Sequence, residues 1–431
     1  MEGAPEAVGP TVRTGSLRLH RWSDLAVVGV AVVALASGFG QFGVVAALGN
    51  VARSFGHVVH GATIADQAGL SGTQLGVGLA IIRLASLGGL PLAGMADRTG
   101  RRTTLLVTCG IGLALTAASA ASPSYWWFVV IFALGRPLLS ATIAIAQVDA
   151  AEQTGSADRA KAVALVAAGY SAGAGATVIL HSLTGSALGF RGLFLLALVP
   201  LPLLPLLWRS TSEPSRFTVA AAAADRPLPV LGAVSAPYRW RLLVVCGLTF
   251  TISVITGPSN SFVFIYAQNV LNVSGVVTAT MVVVAGALGL AGLLLGRWLA
   301  DHVGRRPACV AAVACMAATG VLTYSGSQPG LFGGYTLGVL AAATLAPAAG
   351  AMANELFPTS VRASVAGWLV AASVLGAIAG LLAFGAVADL GNRFGVAAAA
   401  VFLPALLGLA LFLLLPETRG REPEDLWPGV A

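Results

Sequence analysis

The chain has 431 residues, of which 57% are hydrophobic and 10% are charged. Soluble domains carry about 25% charged residues, so this composition excludes an ordinary soluble protein and favours one that lies mostly in lipid. The formal net charge of +7 does not indicate nucleic acid as a partner, because the basic residues lie in short segments between apolar runs, as in membrane proteins.

Twelve apolar runs are long enough to cross a bilayer as helices, which takes about 20 residues each. In chain order they are 25–48, 71–93, 103–121, 124–150, 160–184, 191–208, 239–268, 276–297, 307–325, 330–353, 361–387 and 394–415. Their length and their richness in Ala, Leu and Gly predict helices instead of barrel strands. The fold class is therefore an all-α membrane protein with twelve transmembrane helices in a lipid bilayer.

The basic residues predict the orientation of these spans. If both termini are cytoplasmic, the cytoplasmic side carries 19 of the 24 Lys and Arg residues, and the other side carries only Arg53, Arg191 and Arg393. Such a bias predicts a multi-pass protein of the inner, or cytoplasmic, membrane with both termini inside. The predicted division is an N-terminal six-helix half (1–208), a cytoplasmic linker (209–238), a C-terminal six-helix half (239–415) and a cytoplasmic tail (416–431). The polar N-terminus predicts no cleaved signal peptide.

Three acidic positions recur at an offset of 203 or 204 residues. They are Asp97 and Asp301, Glu152 and Glu355, and Glu213 and Glu417. The first pair opens an Asp-x-x-Gly-Arg-Arg hexad in each half, and the second is followed seven residues later by arginine (Arg159 and Arg362). A repeat at half the chain length indicates two parallel halves related by an axis along the membrane normal, which is a known transporter architecture.

These motifs resemble those of the major facilitator superfamily over essentially the whole chain. Residues 94–102 resemble its signature between spans two and three, although Ala93 and His302 depart from the family pattern. Residues 354–363 and 416–422 resemble patterns of the sugar-porter and metabolite:proton-symporter branches. The resemblance implies the major facilitator fold, with two six-helix halves that give alternating access to one site.

The resemblance also implies a gate at the cytoplasmic ends of the helices. A charged network would tie the halves together there and break when the site opens inward. We expect Asp97 to face the positive end of a neighbouring helix, and Arg101 and Arg102 to pair with acids at inner helix ends. The candidate gating residues are Asp97, Arg98, Gly100, Arg101, Arg102, Asp301, Arg305, Glu152, Arg159, Glu355, Arg362 and Glu417.

Two arginines have no charged counterpart in the second half, and we consider them candidates for contact with the cargo. Arg83 and Arg136 lie near the middle of spans two and four, and their counterparts in the second half are apolar. An arginine at mid-bilayer costs at least about 2.5–3.5 kcal/mol, so it normally faces a cavity or a partner, or is held for structure alone. Arg136 also resembles the superfamily's span-four arginine. No Asp or Glu lies deep within a span, so the two arginines favour an anionic cargo such as a carboxylate.

Span seven is the other candidate for cargo contact, because polar residues flank a Gly257-Pro258 pair that we expect to break or bend the helix. The same polar side chains could instead hold helices together. The candidate substrate-binding residues are Arg136, Arg83, Asn260, Ser259, Gln41 and Tyr170. Asp149 and His181 are the candidates for proton coupling.

Three functions remain open. The first is a secondary transporter that takes up a small organic solute, an organic acid or a sugar-like metabolite, together with a proton. The alternative is a proton-driven efflux antiporter for drugs or metabolites; span five carries the glycines typical of that class (169–175) without its proline, which favours uptake. A nutrient receptor would need a large cytoplasmic extension, and both predicted tails are short.

Enzymatic chemistry is not expected. The only lysine, Lys161, lies in no phosphate-cradling loop, and the four cysteines have no zinc-site spacing. We therefore expect no cofactor and no metal, and a protein that acts as a monomer.

Overall fold

The computed structural model describes residues 20–57, 63–210, 213, 231–232, 234–421 and 426–427. In this part of the chain twelve helical segments are long and apolar enough to span a membrane. They are α1 (Leu25–Ala46), α2 (Gly72–Thr99), α3 (Arg101–Ala121), α4 (Tyr125–Gln153), α5 (Ser156–Gly185), α6 (Ala187–Arg209), α7 (Ala236–Val270), α8 (Gly275–His302), α9 (Arg305–Thr323), α10 (Gln328–Leu356), α11 (Ser364–Gly391) and α12 (Phe394–Leu414). The described residues contain no β-strand, so the predicted fold class is confirmed.

The helices are longer than predicted at the two hexads. α2 continues through Asp97 to Thr99 and α3 begins at Arg101, so only Gly100 separates them. Gly100 has φ 101° and ψ 140°, a conformation that L side chains rarely adopt. Gly304, with φ 133°, stands at the same place before α9. The predicted spans left 94–102 and 298–306 outside the helices, whereas the structure leaves only Gly100 in the first of these segments and Val303 and Gly304 in the second.

The ends of the helices form two faces, the basic face and the opposite face. The basic face carries the Gly100 and Gly304 junctions. The opposite face carries the segments that join α1 to α2 and α7 to α8. Two short helices, Leu48–Phe55 and Ile64–Ala68, form part of the first of these segments. The predicted linker 209–238 and tail 416–431 lie largely outside the described residues.

The first half (α1–α6) and the second half (α7–α12) pack most closely through α2 against α11 and α5 against α8. Small residues make this approach possible. A Cβ atom on Gly72 would lie 2.7 Å from the carbonyl oxygen of Gly385, and one on Gly275 would lie 1.7 Å from that of Ser182. Both close contacts lie toward the opposite face, so the two halves meet backbone to backbone there.

Helix α7 is continuous through Gly257-Pro258, so of the break or bend that was predicted there the break does not occur. The α-helix runs from Ala236 to Ile265 with Pro258 inside it, and a π-helical turn follows at Tyr266–Val270. Pro258 removes one backbone donor. The carbonyl group that this leaves without its helical donor is that of Val254, one turn earlier. The carbonyl groups of Pro258 and Ser259 both accept a hydrogen bond from the hydroxyl of Tyr324, each at 3.2 Å.

Candidate functional site

A central cavity of about 240 Å³ lies between the two halves. Its polar lining residues include four of the six predicted substrate-binding residues: Gln41 of α1, Arg83 of α2, Arg136 of α4 and Asn260 of α7. Leu381 of α11 also lines it, so both halves contribute to one site. Among the described residues, no aspartate or glutamate lines this cavity.

Arg136 is held from one side by α1. Its Nη1 atom donates to the carbonyl oxygen of Gln41 at 3.0 Å, while its Nε atom is buried without a hydrogen-bond partner. The Gln41 side chain is itself fixed, because Nε2 donates to Ser37 Oγ and to the carbonyl oxygen of Leu139, both at 3.0 Å. The backbone carbonyl group of Gln41 thus orients the guanidinium of Arg136. The side-chain donor of Gln41 is already used within the protein.

Tyr170, another predicted substrate-binding residue, reaches the site through Gln41. Its hydroxyl donates to Gln41 Oε1 at 3.3 Å, and its ring packs edge-on against Phe42. Tyr170 is not among the residues that line the central cavity. Tyr170 therefore contacts two lining residues, Gln41 and Phe42, and does not itself line the cavity.

Ser259 lines a second cavity, which lies inside the second half among α7, α9 and α10 and measures about 260 Å³. Thr256 and Asn260 line this cavity and the central one. The two cavities therefore adjoin across the middle of α7. Ser259 Oγ is buried and has no hydrogen-bond partner.

At the basic face of the first half, Arg101 is the centre of a charged cluster. Its guanidinium contacts Asp97 at 3.0 Å and Glu152 through both Nε and Nη2, the latter at 2.8 Å. The carboxylate of Glu213 accepts the backbone N–H groups of Arg101 and Arg102 at the start of α3. Glu213, not Asp97, therefore occupies the positive end of a helix.

The second half repeats this arrangement. Arg305 pairs with Glu355 at 2.9 Å, and Glu417 accepts the backbone N–H groups of Arg305 and Arg306 at 2.9 and 3.0 Å. Burial acts to raise the pKa of Glu417, but four backbone N–H donors outweigh it, and the pKa of this carboxyl lies below its ordinary value. Asp301 departs from the repeat, since its nearest ion-pair partner is the exposed Arg297 at 3.9 Å.

These ion pairs lie within each half. The expected tie between the halves at the basic face is therefore not made by Arg101 or Arg305 through these acids. Within the described residues the guanidinium of Arg102 has no acidic ion-pair partner; it donates to the carbonyl group of Trp208 and lies over its ring at 4.4 Å.

The remaining candidate gating residues also lie at the basic face. Arg362 donates to the carbonyl oxygen of Phe357 at 3.0 Å. Arg159 lines an open cavity together with Glu152. Arg98 occupies the last turn of α2.

The opposite face holds a contact that the sequence did not indicate. Asp389, near the end of α11, accepts the backbone N–H groups of Gly72 at 2.6 Å and Thr73 at 2.8 Å, and the Thr73 hydroxyl at 2.6 Å. Close by, Asn269 Nδ2 donates to the carbonyl oxygen atoms of Gly49 and Ala68 at 3.0 and 2.9 Å. Hydrogen bonds between the halves thus close the opposite face.

The two predicted proton-coupling residues lie apart from the central cavity and on opposite sides of it. Asp149 is 2% exposed near the basic face, where Oδ2 accepts from Gln153 at 2.9 Å and Oδ1 has no partner. His181 is 3% exposed near the opposite face and lines a polar cavity that also contacts Arg53. Neither residue lines the cavity that holds the two arginines.

Twelve apolar helices in two packed halves, with a cavity between them that both halves line, define a membrane transporter. The Major Facilitator Superfamily matches residues 30–327 and 290–428. The chain belongs to this superfamily, and it is a multi-pass membrane protein.

Two relatives are similar in sequence. A metabolite transport protein of Haemophilus influenzae is 26% identical over 354 residues, which are 78% of this chain and 85% of that protein. The transcription regulatory protein OpdE of Pseudomonas aeruginosa is 28% identical over 241 residues, which are 54% of this chain and 57% of that protein.

Solved structures share the fold at low sequence identity. An inward-open xylose transporter from E. coli aligns with a TM-score of 0.69 at 18% identity, over 93% of this chain and 100% of that one. A nucleoside transporter aligns with a TM-score of 0.70 at 13% identity, over 90% and 98%. The human organic anion transporter aligns with a TM-score of 0.63 at 17% identity, over 90% and 98%. These structures bear on the fold alone, since they carry sugars, nucleosides and anions on the same scaffold.

Proposed function

We propose that this chain is a secondary transporter that moves a small organic anion, a carboxylate, across the cytoplasmic membrane by alternating access. The observation that carries the proposal is the placement of Arg83 and Arg136 on the wall of one cavity that has no acidic lining residue in the described part of the chain. A guanidinium group matches a carboxylate in shape and charge and can donate two parallel hydrogen bonds to it.

The energetics of the site support an anion over a neutral sugar. Arg136 has a buried Nε donor without a partner, and a buried donor left unsatisfied costs about 1–3 kcal/mol. An anion bound between two cations would offset the cost of keeping both charges away from bulk water. A sugar would leave both guanidinium charges uncompensated.

The basic face is assigned to the cytoplasm, because the predicted cytoplasmic segments carry 19 Lys and Arg residues and the other side carries three. With this orientation, the hydrogen bonds of Asp389 and Asn269 close the outer face. We assign the structure to a state that is closed to the outside, and transport requires these bonds to break before cargo can enter from outside.

Coupling to a proton follows from the charge of the cargo. A negative membrane potential opposes anion uptake by about 2.3 kcal/mol per charge per 100 mV. A proton carried in the same cycle cancels that charge, so symport with a proton removes the electrical cost of uptake. Asp149 and His181 remain the proposed proton-binding residues, since each is buried and has an atom without a hydrogen-bond partner.

The test is uptake by purified protein in proteoliposomes, with protein-free liposomes as the blank. Labelled carboxylates, neutral sugars and nucleosides are offered with and without an inward proton gradient. We expect saturable uptake of a carboxylate that the gradient increases. Uptake of sugars alone would reject the anion, whereas carboxylate uptake that ignores the gradient would reject proton coupling. Binding with no transport in any condition would favour the receptor alternative.

A further inference from the structure

We propose that the cargo is a monocarboxylate with a compact, largely apolar tail. Its carboxylate lies between Arg83 and Arg136 in the central cavity, and its tail enters the adjoining cavity of about 260 Å³ inside the second half. We call this second space the tail cavity. The inference rests on the proposed transport of an organic anion and names the class of anion.

The tail cavity is positioned to receive the part of a ligand that the central cavity does not hold. Thr256 and Asn260 line both spaces, so the two cavities adjoin at these residues. The proposal requires a ligand bound at the arginines to extend past them. The central cavity is about 240 Å³. A cavity of about 150 Å³ is enough to hold benzene, so the tail cavity has room for a ring with a small substituent.

The lining of the tail cavity selects against further charge and against many hydroxyl groups. Seven of its thirteen lining residues are apolar or glycine, among them Met316, Val339 and Ala342, and the other six carry a hydroxyl or an amide group. Two of its hydroxyl groups are already used, because Thr319 donates to the carbonyl oxygen of Cys315 at 2.7 Å and Thr323 donates to that of Thr319 at 2.8 Å. Among the described residues, no charged side chain lines this space.

A second carboxylate placed in the tail cavity would therefore be buried without a counter-charge, which is strongly unfavourable. A sugar acid would bury several hydroxyl groups with few partners, each at a cost of about 1–3 kcal/mol. Ser259, whose buried Oγ has no partner, and the Asn260 amide leave room for one polar substituent near the junction of the two cavities. Dicarboxylates and sugar acids fit this lining worse than a monocarboxylate with a ring.

The internal repeat also relates a charged position at the carboxylate site to an apolar position in the tail cavity. The position 203 residues after Arg136 is Val339, and Val339 lines the tail cavity. The first half thus presents a cation where the second half presents an apolar side chain. Repeat-related positions of opposite chemistry suit a cargo whose two ends differ.

The experiment measures binding to the purified full-length chain in detergent by isothermal titration calorimetry, which avoids leakage of weak acids through liposomes. The probes are benzoate, propionate, succinate and gluconate. We expect benzoate to bind at least about tenfold more tightly than the other three, which is the effect of about 1.4 kcal/mol. Tighter binding of succinate or gluconate than of benzoate would overturn the proposal.

Two variants test whether the apolar tail of the ligand occupies the tail cavity. Ala342→Phe fills the tail cavity and should weaken benzoate binding by at least about tenfold while propionate binding changes little. Leu337→Phe is the matched control, because Leu337 lies on the same helix, is 44% exposed and is not a lining residue. Val339→Ala enlarges the cavity and should improve binding of the larger 2-naphthoate. If Ala342→Phe unfolds, the gain in Val339→Ala still decides the question.

The outcomes separate the two proposals. If propionate and benzoate bind equally and both cavity variants behave as wild type, the tail cavity is not used, although transport of an anion stands. If none of the four carboxylates binds and the proteoliposomes take up neutral sugars alone, the anion proposal fails and the tail assignment fails with it.

Discussion

The carboxylate of Asp389 accepts a hydrogen bond from the backbone N–H of Thr73 at 2.8 Å. Asp389 belongs to the second half and Thr73 begins a helix of the first, so a negative charge from one half lies at the positive end of a helix in the other. The N–H of Gly72 and the hydroxyl of Thr73 complete the contact. A site that opens at this face must first lose these three bonds.

Removal of the Asp389 carboxylate should therefore favour the state that is open at the opposite face. Hydrogen bonds to a charged group contribute about 1.5–3 kcal/mol each, and the loss of one such term shifts a two-state equilibrium by roughly tenfold or more. In Asp389→Ala we expect faster deuterium exchange in the first turn of α2 and in Tyr266–Val270, measured by mass spectrometry on the purified protein.

Asp66→Ala is the control for that variant. Asp66 lies on the same face and carries the same charge, but it exchanges local hydrogen bonds with Thr63 in the cap of a short helix. Its effect on exchange should stay within that short helix. Equal exchange at Tyr266–Val270 in both variants would mean that Asp389 does not hold the halves together.

The two cavity arginines should differ in their tolerance of lysine. Arg136 uses one end of its guanidinium to contact the Gln41 carbonyl group, and lysine has no second end to present to a ligand. We expect Arg136→Lys to lower carboxylate uptake at least about tenfold, which corresponds to the loss of about 1.4 kcal/mol of binding. Arg83→Lys should cost less, because Arg83 makes no side-chain hydrogen bond within the described part of the chain.

Arg297→Ala removes an arginine that is 80% exposed at the basic face and serves as the control for loss of charge. It should leave uptake near the wild-type level. Initial rates are compared at equal amounts of reconstituted protein. Uptake that falls as far in Arg297→Ala as in Arg136→Lys would remove the case for a specific arginine site.

The sequence predicted most of the fold, and the reason is physical. Each span needs about 20 apolar residues, and the repeat of Asp97, Glu152 and Glu213 at a near-constant offset placed both six-helix halves. Arg83 and Arg136 were identifiable because a mid-membrane charge is costly unless it lines a cavity. Both arginines do line one cavity.

The errors arose where the outcome depended on contacts between distant helices. The break expected at Gly257-Pro258 did not occur, because a single missing donor does not interrupt a helix that neighbouring helices hold. The contact of Asp389 with Thr73 was missed, because nothing in the local sequence relates the end of α11 to the start of α2. Asp389 is near a helix end, where an acid is usually solvated, and only the packed structure gives it a partner.

The carboxylate of Glu417 should make the stability of the protein depend on pH. Its pKa in the folded protein lies below the ordinary value of 4.5, so its contribution is present above the unfolded pKa and is lost as the pH falls through the folded pKa. A carboxylate at a helix N-terminus contributes about 0.3–1 kcal/mol. Glu417→Gln should lower the melting temperature at pH 7, and the difference from wild type should shrink in acid.

Asp301→Asn is the matched control for this measurement. Asp301 is 54% exposed and its nearest ion-pair partner is at 3.9 Å, so its removal should have little effect at either pH. Melting is followed by intrinsic fluorescence in detergent at pH 7 and at progressively lower pH. A destabilisation by Glu417→Gln that stayed constant into acid would contradict a role for the ionised carboxylate.

Gly100 and Gly94 lie six residues apart and should respond to alanine with opposite signs. Gly100 has φ 101°, which costs a residue with a side chain about 1–3 kcal/mol, and a Cβ atom there would lie 3.2 Å from Glu213 Oε2. Gly94 lies within α2, and a Cβ atom there would meet nothing within 4 Å, so alanine should stabilise the helix by about 0.5–1 kcal/mol. We expect the melting temperature to fall in Gly100→Ala and to hold or rise in Gly94→Ala.

Gly100 and Glu213 should not act independently, because the strain at Gly100 acts on the N–H groups that Glu213 accepts. Once Gly100→Ala is present, Glu213→Gln should lower the melting temperature by less than it does in the wild type. Additive losses in the double variant would show that the glycine and the carboxylate stabilise the start of α3 independently.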